Sequence, residues 1–89
     1  MTWKAQGWDT LMSRLEEEEC LLADGFDEAL IGITVSINPV AAYSKDRMIQ
    51  ILMQRDGMTY EDAIEYLEFN VFGAHVGDKT PVYIDNGVL

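Results

Sequence analysis

The side chains that could carry chemistry in this chain are carboxylates, one imidazole, one thiol and a pair of loop glycines. Glu61 and Glu65 have the i, i+4 spacing that sets two carboxylates on one helix face, a geometry compatible with general acid–base work. Carboxylates are so abundant here, sixteen Asp and Glu against six Lys and Arg, that one such pair reads first as a solvated face. His75 is the single imidazole, with no second His and no Cys near it, short of the ligands that a zinc site needs. Asp56-Gly57 followed by Asp62 lacks the alternating oxygens of a calcium loop. Ser13, Ser36 and Ser44 have no nucleophile-elbow context. Gly73 and Gly77 follow a helical pattern rather than open one, so they do not form a phosphate loop. Cys20 is the lone cysteine, which excludes an intramolecular disulfide. It follows four glutamates, which raise a thiol's pKa rather than activate it, and it reads as a small apolar residue on a helix. No constellation of nucleophile, base and stabilising donors assembles, which argues against an enzyme, and no metal or cofactor is expected.

The elements that position these residues centre on Lys45 to Ile84. Ser44 can cap a helix whose apolar positions are Met48, Ile49, Leu52 and Met53, with Ile51 on the flank. Gly57 can close that helix in the left-handed conformation. Thr59 caps a second helix, with Asp62 in the capping-box position, an apolar stripe of Tyr60, Ala63, Ile64, Leu67 and Val71, and Gly73 as its stop. Glu61, Glu65 and Glu68 line a different face. Upstream, residues 8–22 read as a helix capped by Asp9 or Thr10, with Leu11, Met12, Leu15 and Leu22 on its apolar side and the run Glu16 to Glu19 across its second half. Carboxylates at that end oppose the helix dipole. Asp24-Gly25 ends the element. Ile31, Ile33, Val35 and Ile37 alternate with small or polar residues and predict a strand. Asn38-Pro39 breaks it, Val40 to Tyr43 return, and Val82 to Ile84 should join the same sheet, because two strands alone are marginal. Pro81 stands at the start of that third strand, where a missing donor is tolerated. The layout is α-β-β-α-α-β: an α+β fold with a three-stranded sheet packed against helices. One core is expected to gather Ile31, Ile33, Val35, Leu52, Ile64 and Leu67.

Arg55-Asp56-Gly57-Met58, Asn70, Gly73-Ala74, Val76-Gly77 and Thr80-Pro81 form a pattern, RDGM…EFNVxGAxVGxxTP. It resembles that of a family of small acidic phage and bacterial proteins of uncharacterised function. A looser match reaches back to about Phe26, so the likeness covers residues 26–84, with an N-terminal helical region 1–25 outside it and a tail, 85–89. The resemblance implies the cytoplasm of a bacterial host and brings no activity with it.

Eighty-nine residues make one domain, near the small end of what folds unaided. Hydrophobic residues make up 48% and charged ones 25%, which argues against disorder. The net charge of −10 with basic residues scattered singly argues against direct binding to nucleic acid or an anionic membrane. MTWKAQGWDT lacks the apolar run of a signal peptide, and no stretch of 18 apolar residues exists. Residues 1–28 hold eight acidic and two basic residues and residues 45–89 eight and four, whereas 29–44 carry no charge.

The expected function is a non-enzymatic protein-binding module of phage type, an acidic inhibitor or modulator that imitates nucleic acid before a basic-surfaced host protein. Its candidate partner-binding residues are Glu16, Glu17, Glu18, Glu19, Glu61, Glu65, Glu68, Asn70 and His75. Local hydrogen bonding is the first account of Asn70, and loop structure that of His75, with the recognition role second. Two alternatives stand beside it: a structural or oligomeric protein, with Trp3 and Trp8 packed on the domain or in a homodimer interface, and a small-ligand binder using the loop Gly73–Pro81.

Overall fold

The computed structural model describes residues 3–85, with side chains from Trp8 onward. Helix α1 spans Trp3–Glu17, strand β1 Leu30–Ile33, strand β2 Ala41–Ser44, helix α2 Lys45–Asp56, helix α3 Tyr60–Leu67 and strand β3 Val82–Ile84. The sheet has the order β1-β2-β3. β1 pairs antiparallel with β2, and β3 pairs parallel with β2. This is the α+β layout that the hydrophobic periods predict. The parallel pair follows from connectivity, since a strand returning after two helices enters beside β2 by a long crossover.

The central hairpin forms as its caps dictate. Ser44 ends β2 and caps α2 at once, its hydroxyl accepting from Arg47 N at 3.2 Å. Gly57 closes α2 with φ 70, and Thr59 Oγ1 accepts from Asp62 N at 3.1 Å to open α3. The core gathers Leu15 from α1, Phe26 and Leu30, Ala41 and Tyr43 of β2, Met48, Ile49 and Leu52 of α2, and Ala63 and Leu67 of α3. Tyr43 lies at its centre, fully buried, its hydroxyl accepting from Ala23 N at 2.9 Å. Arg55 reaches back across the surface, donating to Gly25 O at 2.8 Å and covering the Phe26 ring at 5.5 Å.

The first strand is shorter than the alternation of 31–37 predicts, and the expected core is corrected accordingly. An irregularity between Leu30 and Gly32 shifts the β1–β2 register. Leu30 therefore takes the core place, Ile31 turns outward at 47% exposure, and Ile33 packs on the core margin. Pairing ends at Thr34, whose N–H donates to Val40 O and whose Oγ1 accepts from Val40 N, both at 2.9 Å. Val35 and Ile37 thus fall in the connecting loop, fully exposed. Leu52 and Leu67 are buried, and Ile64 packs beside them. Met53 and Tyr60 are more exposed than their helical spacing predicts.

Helix α1 is displaced relative to the 8–22 reading. It starts before Asp9 and Thr10, which lie within it, and it stops at Glu17, leaving Cys20, Leu21 and Leu22 in the following segment. Leu22 is exposed rather than part of the apolar side, and Leu21 beside it is exposed as well. Trp8 packs against the core margin; the Trp3 side chain lies outside the described ones.

Candidate protein-binding surface

The acidic run sits at the C-terminus of α1, where the chain makes a left-handed stop. Glu19 has φ 56, its N–H donates to Glu16 O at 3.0 Å, and Cys20 N–H donates to Leu15 O at 2.9 Å. These are the paired bonds of a Schellman cap, normally closed by glycine. Glu16 to Glu19 are exposed. Glu18 reaches Lys79 at 3.6 Å, so the run has a counter-charge from a distant loop. Lys79 also donates to Pro39 O at 3.1 Å, and its carbonyl accepts from Leu21 N at 3.2 Å. Cys20 lies after the helix rather than on it, with Sγ 3.4 Å from Pro39 O. Burial pushes its thiol pKa up, partly opposed by Lys79.

The α3 face is built differently. Residues 68–72 form a π-helical turn, Glu68–Phe72, continuous with α3. The wider turn brings both Val71 and Phe72 against the core margin, with the Phe72 ring tilted against that of Tyr83 at 4.9 Å between centroids. Phe69 is turned out to solvent at 82% exposure. Gly73 follows with φ −84, so its need is for space rather than for a left-handed backbone: a Cβ there would meet Glu68 O at 3.2 Å. Asn70 Nδ2 donates to Tyr66 O at 3.0 Å, the local hydrogen bond that its place in the chain predicts. π-Helical turns recur at functional sites because they re-aim side chains.

Beside this turn lies an open depression of about 460 Å³ lined by Met58, Asp62, Glu65, Tyr66, Phe69 and Asn70. It joins two exposed aromatic rings, Tyr66 and Phe69, to two exposed carboxylates, Asp62 and Glu65. Glu61 and Glu68 are also exposed on this stretch. Glu16, by contrast, borders a depression with Asp9, Met12, Ser13, Leu15, Cys20 and Leu22, so the two acidic groups edge different concavities. Phe69 and Tyr66 do not figure among the residues expected from sequence. Their signal is there: Asp62, Glu65, Tyr66 and Phe69 recur at i, i+3, i+4 and i+7, a second stripe beside the core-facing one.

The loop Gly73–Pro81 is pinned at several points. Thr80 Oγ1 accepts from Val76 N at 2.9 Å and donates to Gly77 O at 2.7 Å. Asn38 Nδ2 donates to Asp78 O at 2.6 Å. His75 is exposed, on a shallow depression with Thr34, Asn38 and Val82. Between this loop, residues 21–26 and the π-helical turn runs a groove of about 390 Å³, lined by Leu22, Phe26, Tyr66, Asn70, Val76 and Tyr83 among others. Among the described residues, no three of His, Cys, Asp and Glu stand together as a metal set, and no helix is long and apolar enough to cross a membrane.

No family model, curated protein or solved structure matches the chain.

Proposed function

We propose that this chain is a non-enzymatic protein-binding module whose α3 face, through Asp62, Glu65, Tyr66 and Phe69, takes a basic side chain of a partner protein. The observation that carries the proposal is Phe69: a large ring 82% exposed beside an acidic depression. A ring face and a carboxylate are the two groups that a guanidinium binds at once, by cation–π contact worth roughly 0.5–1 kcal/mol at an exposed site and by a charge-assisted hydrogen bond worth about 1.5–3 kcal/mol. The net charge of −10 steers such a partner and speeds encounter.

In the setting that the sequence pattern resembles, phage or bacterial, the partner is a nucleic-acid-handling protein of a bacterial cytoplasm. Glu61, Glu65 and Glu68 stand where phosphates would stand in its basic groove, Glu16 to Glu19 add to the acidic field that steers the partner, and occupancy inhibits or modulates it. Capture from a bacterial lysate tests this when the parent is compared with Phe69→Ala and Glu65→Gln. A basic protein retained by the parent and released by both variants supports the proposal. Equal retention by all three removes the α3 face from it.

A second reading, a small-ligand binder, is favoured by the groove under Gly73–Pro81, whose volume reaches the lower end of ligand sites. Its test is thermal stabilisation by small apolar ligands, lost on Val76→Asp.

A further inference from the structure

The acidic depression on α3 and the groove under Gly73–Pro81 share a wall. Tyr66 and Asn70 line both, so a chain seated in one passes over these two side chains into the other. Their chemistry differs. The depression sets Asp62 and Glu65 beside the exposed rings of Tyr66 and Phe69. The groove is walled by Leu22, Phe26, Val71, Val76 and Tyr83, with Asp24 as the charged residue of its lining. It is also firm. Leu21 N–H donates to Lys79 O at 3.2 Å, which ties one bank to the other, and Ala23 N–H is held by the Tyr43 hydroxyl. Walls already ordered add little entropic cost on binding.

Charge says what meets this surface. The neighbouring cations are engaged: Arg55, over Phe26, with Asp56 and Gly25 O, and Lys79 with Glu18 and Pro39 O. Asp62 and Glu65 in the depression and Asp24 in the groove then favour a basic segment and disfavour an acidic one. Asn70 says what form that segment takes. Its Nδ2 is committed to Tyr66 O at 3.0 Å, which leaves Oδ1 as an acceptor on the shared wall. The backbone N–H groups within a helix are already paired, whereas those of an extended segment are open to such an acceptor. Spacing sets the register. The helical side of the depression runs from residue 62 to 69 and that of the groove from 66 to 74, an offset of roughly 6–7 Å along the axis. Two residues of extended chain span about the same distance and return to the same face.

We infer that the two concavities form one bipartite site for an extended segment of the partner protein, in which an arginine stands two residues from a large apolar side chain. The arginine enters the depression, the apolar side chain enters the groove, and Asn70 Oδ1 accepts a backbone N–H between them. The arginine half rests on the proposed function; the groove half is new.

The test is an NMR titration of the intact labelled chain with capped heptapeptides: Gly-Gly-Arg-Ser-Leu-Gly-Gly, its reverse sequence, and forms of each in which serine replaces the leucine or the arginine. In one of the two chain directions, the full peptide should shift Glu65 and Phe69 together with Val71, Val76 and Tyr83. It should bind at least about tenfold more tightly than its serine-for-leucine form, as burial of a leucine side chain requires. The serine-for-leucine form should shift the α3 face alone. Val76→Ser, altered where the parent is 65% exposed, should retain the parent's circular dichroism, weaken the full peptide and leave the serine-for-leucine form unchanged. If leucine adds no affinity in either direction, or Val76→Ser binds the full peptide as the parent does, the inference is overturned and the proposed function stands. If no arginine peptide binds the α3 face, the proposed function falls and the inference with it. A serine-for-arginine form that fills the groove as tightly as the full peptide marks an independent apolar-ligand site, which also overturns the bipartite one.

Discussion

Glu19 stands at a position where the backbone favours glycine and the helix dipole disfavours an anion, so its replacement should stabilise the protein. With φ 56, it closes α1 in the left-handed region, where an L-residue costs roughly 1–2 kcal/mol. Glycine removes that strain, but its extra freedom in the unfolded chain returns about 0.4–1 kcal/mol. The negative charge beside the helix C-terminus costs about 0.3–1 kcal/mol more. Glu19→Gly should therefore gain about 1–2 kcal/mol, and Glu19→Gln, which keeps the backbone strain and loses only the charge, about 0.3–1 kcal/mol. For a domain of this size each kcal/mol moves Tm by roughly 4–8 °C, so thermal melts followed by circular dichroism resolve the two. If Glu19→Gly is no more stable than Glu19→Gln, the cap is not under the strain that its geometry implies.

Other outcomes follow from the core and its buried groups. Leu52→Ala, at a side chain buried between α2 and its neighbours, should cost about 2–5 kcal/mol in urea unfolding; a cost under about 1 kcal/mol would place Leu52 outside the packed core. Burial holds the phenols of Tyr43 and Tyr83 above their ordinary value of 10.0. The folded protein then keeps protons that the unfolded chain releases, so this stability is full below pH 10 and is lost as pH rises through the folded values. Tyr43→Phe should flatten the alkaline fall of the urea midpoint, at some cost from the bond to Ala23 N; a fall as steep as the parent's would contradict the assignment. Cys20, its thiol raised by burial, should react with iodoacetamide at pH 7.5 more slowly than the same thiol in urea, and equal rates would show it to be open to solvent.

Much of the fold was legible because its signals are local. Ser44, Gly57 and Thr59 each do in the structure what their types predict, since a cap depends on a few adjacent backbone groups. The third strand was legible for a different reason, the need of a two-stranded hairpin for a partner. The ends of α1 and β1 were not legible. At α1 the stop is made by Glu19 in a conformation that its residue type does not advertise, and the leucines beyond it extend the apolar pattern past the helix. At β1 a register shift after Leu30, together with the Thr34–Val40 closure, turns a regular alternation into a short strand and a loop. The sequence marks Ile31 and Val35 as apolar, but their exposure depends on pairing with β2, which a period of two does not encode. The candidate surface was half legible. Glu61, Glu65 and Glu68 share an exposed stretch as their spacing requires, whereas Phe69 is directed outward by a π-helical turn that accommodates Val71 and Phe72 together against the core.

The proposed function is tested most directly by an NMR titration of the isotope-labelled chain with a short arginine-rich peptide, at low and physiological salt. The account predicts saturable shifts concentrated at Asp62, Glu65, Tyr66, Phe69 and Asn70, weaker at higher salt and abolished by Phe69→Ala. Shifts spread evenly over Glu16 to Glu19 and every other carboxylate, or an unchanged affinity in Phe69→Ala, would contradict it.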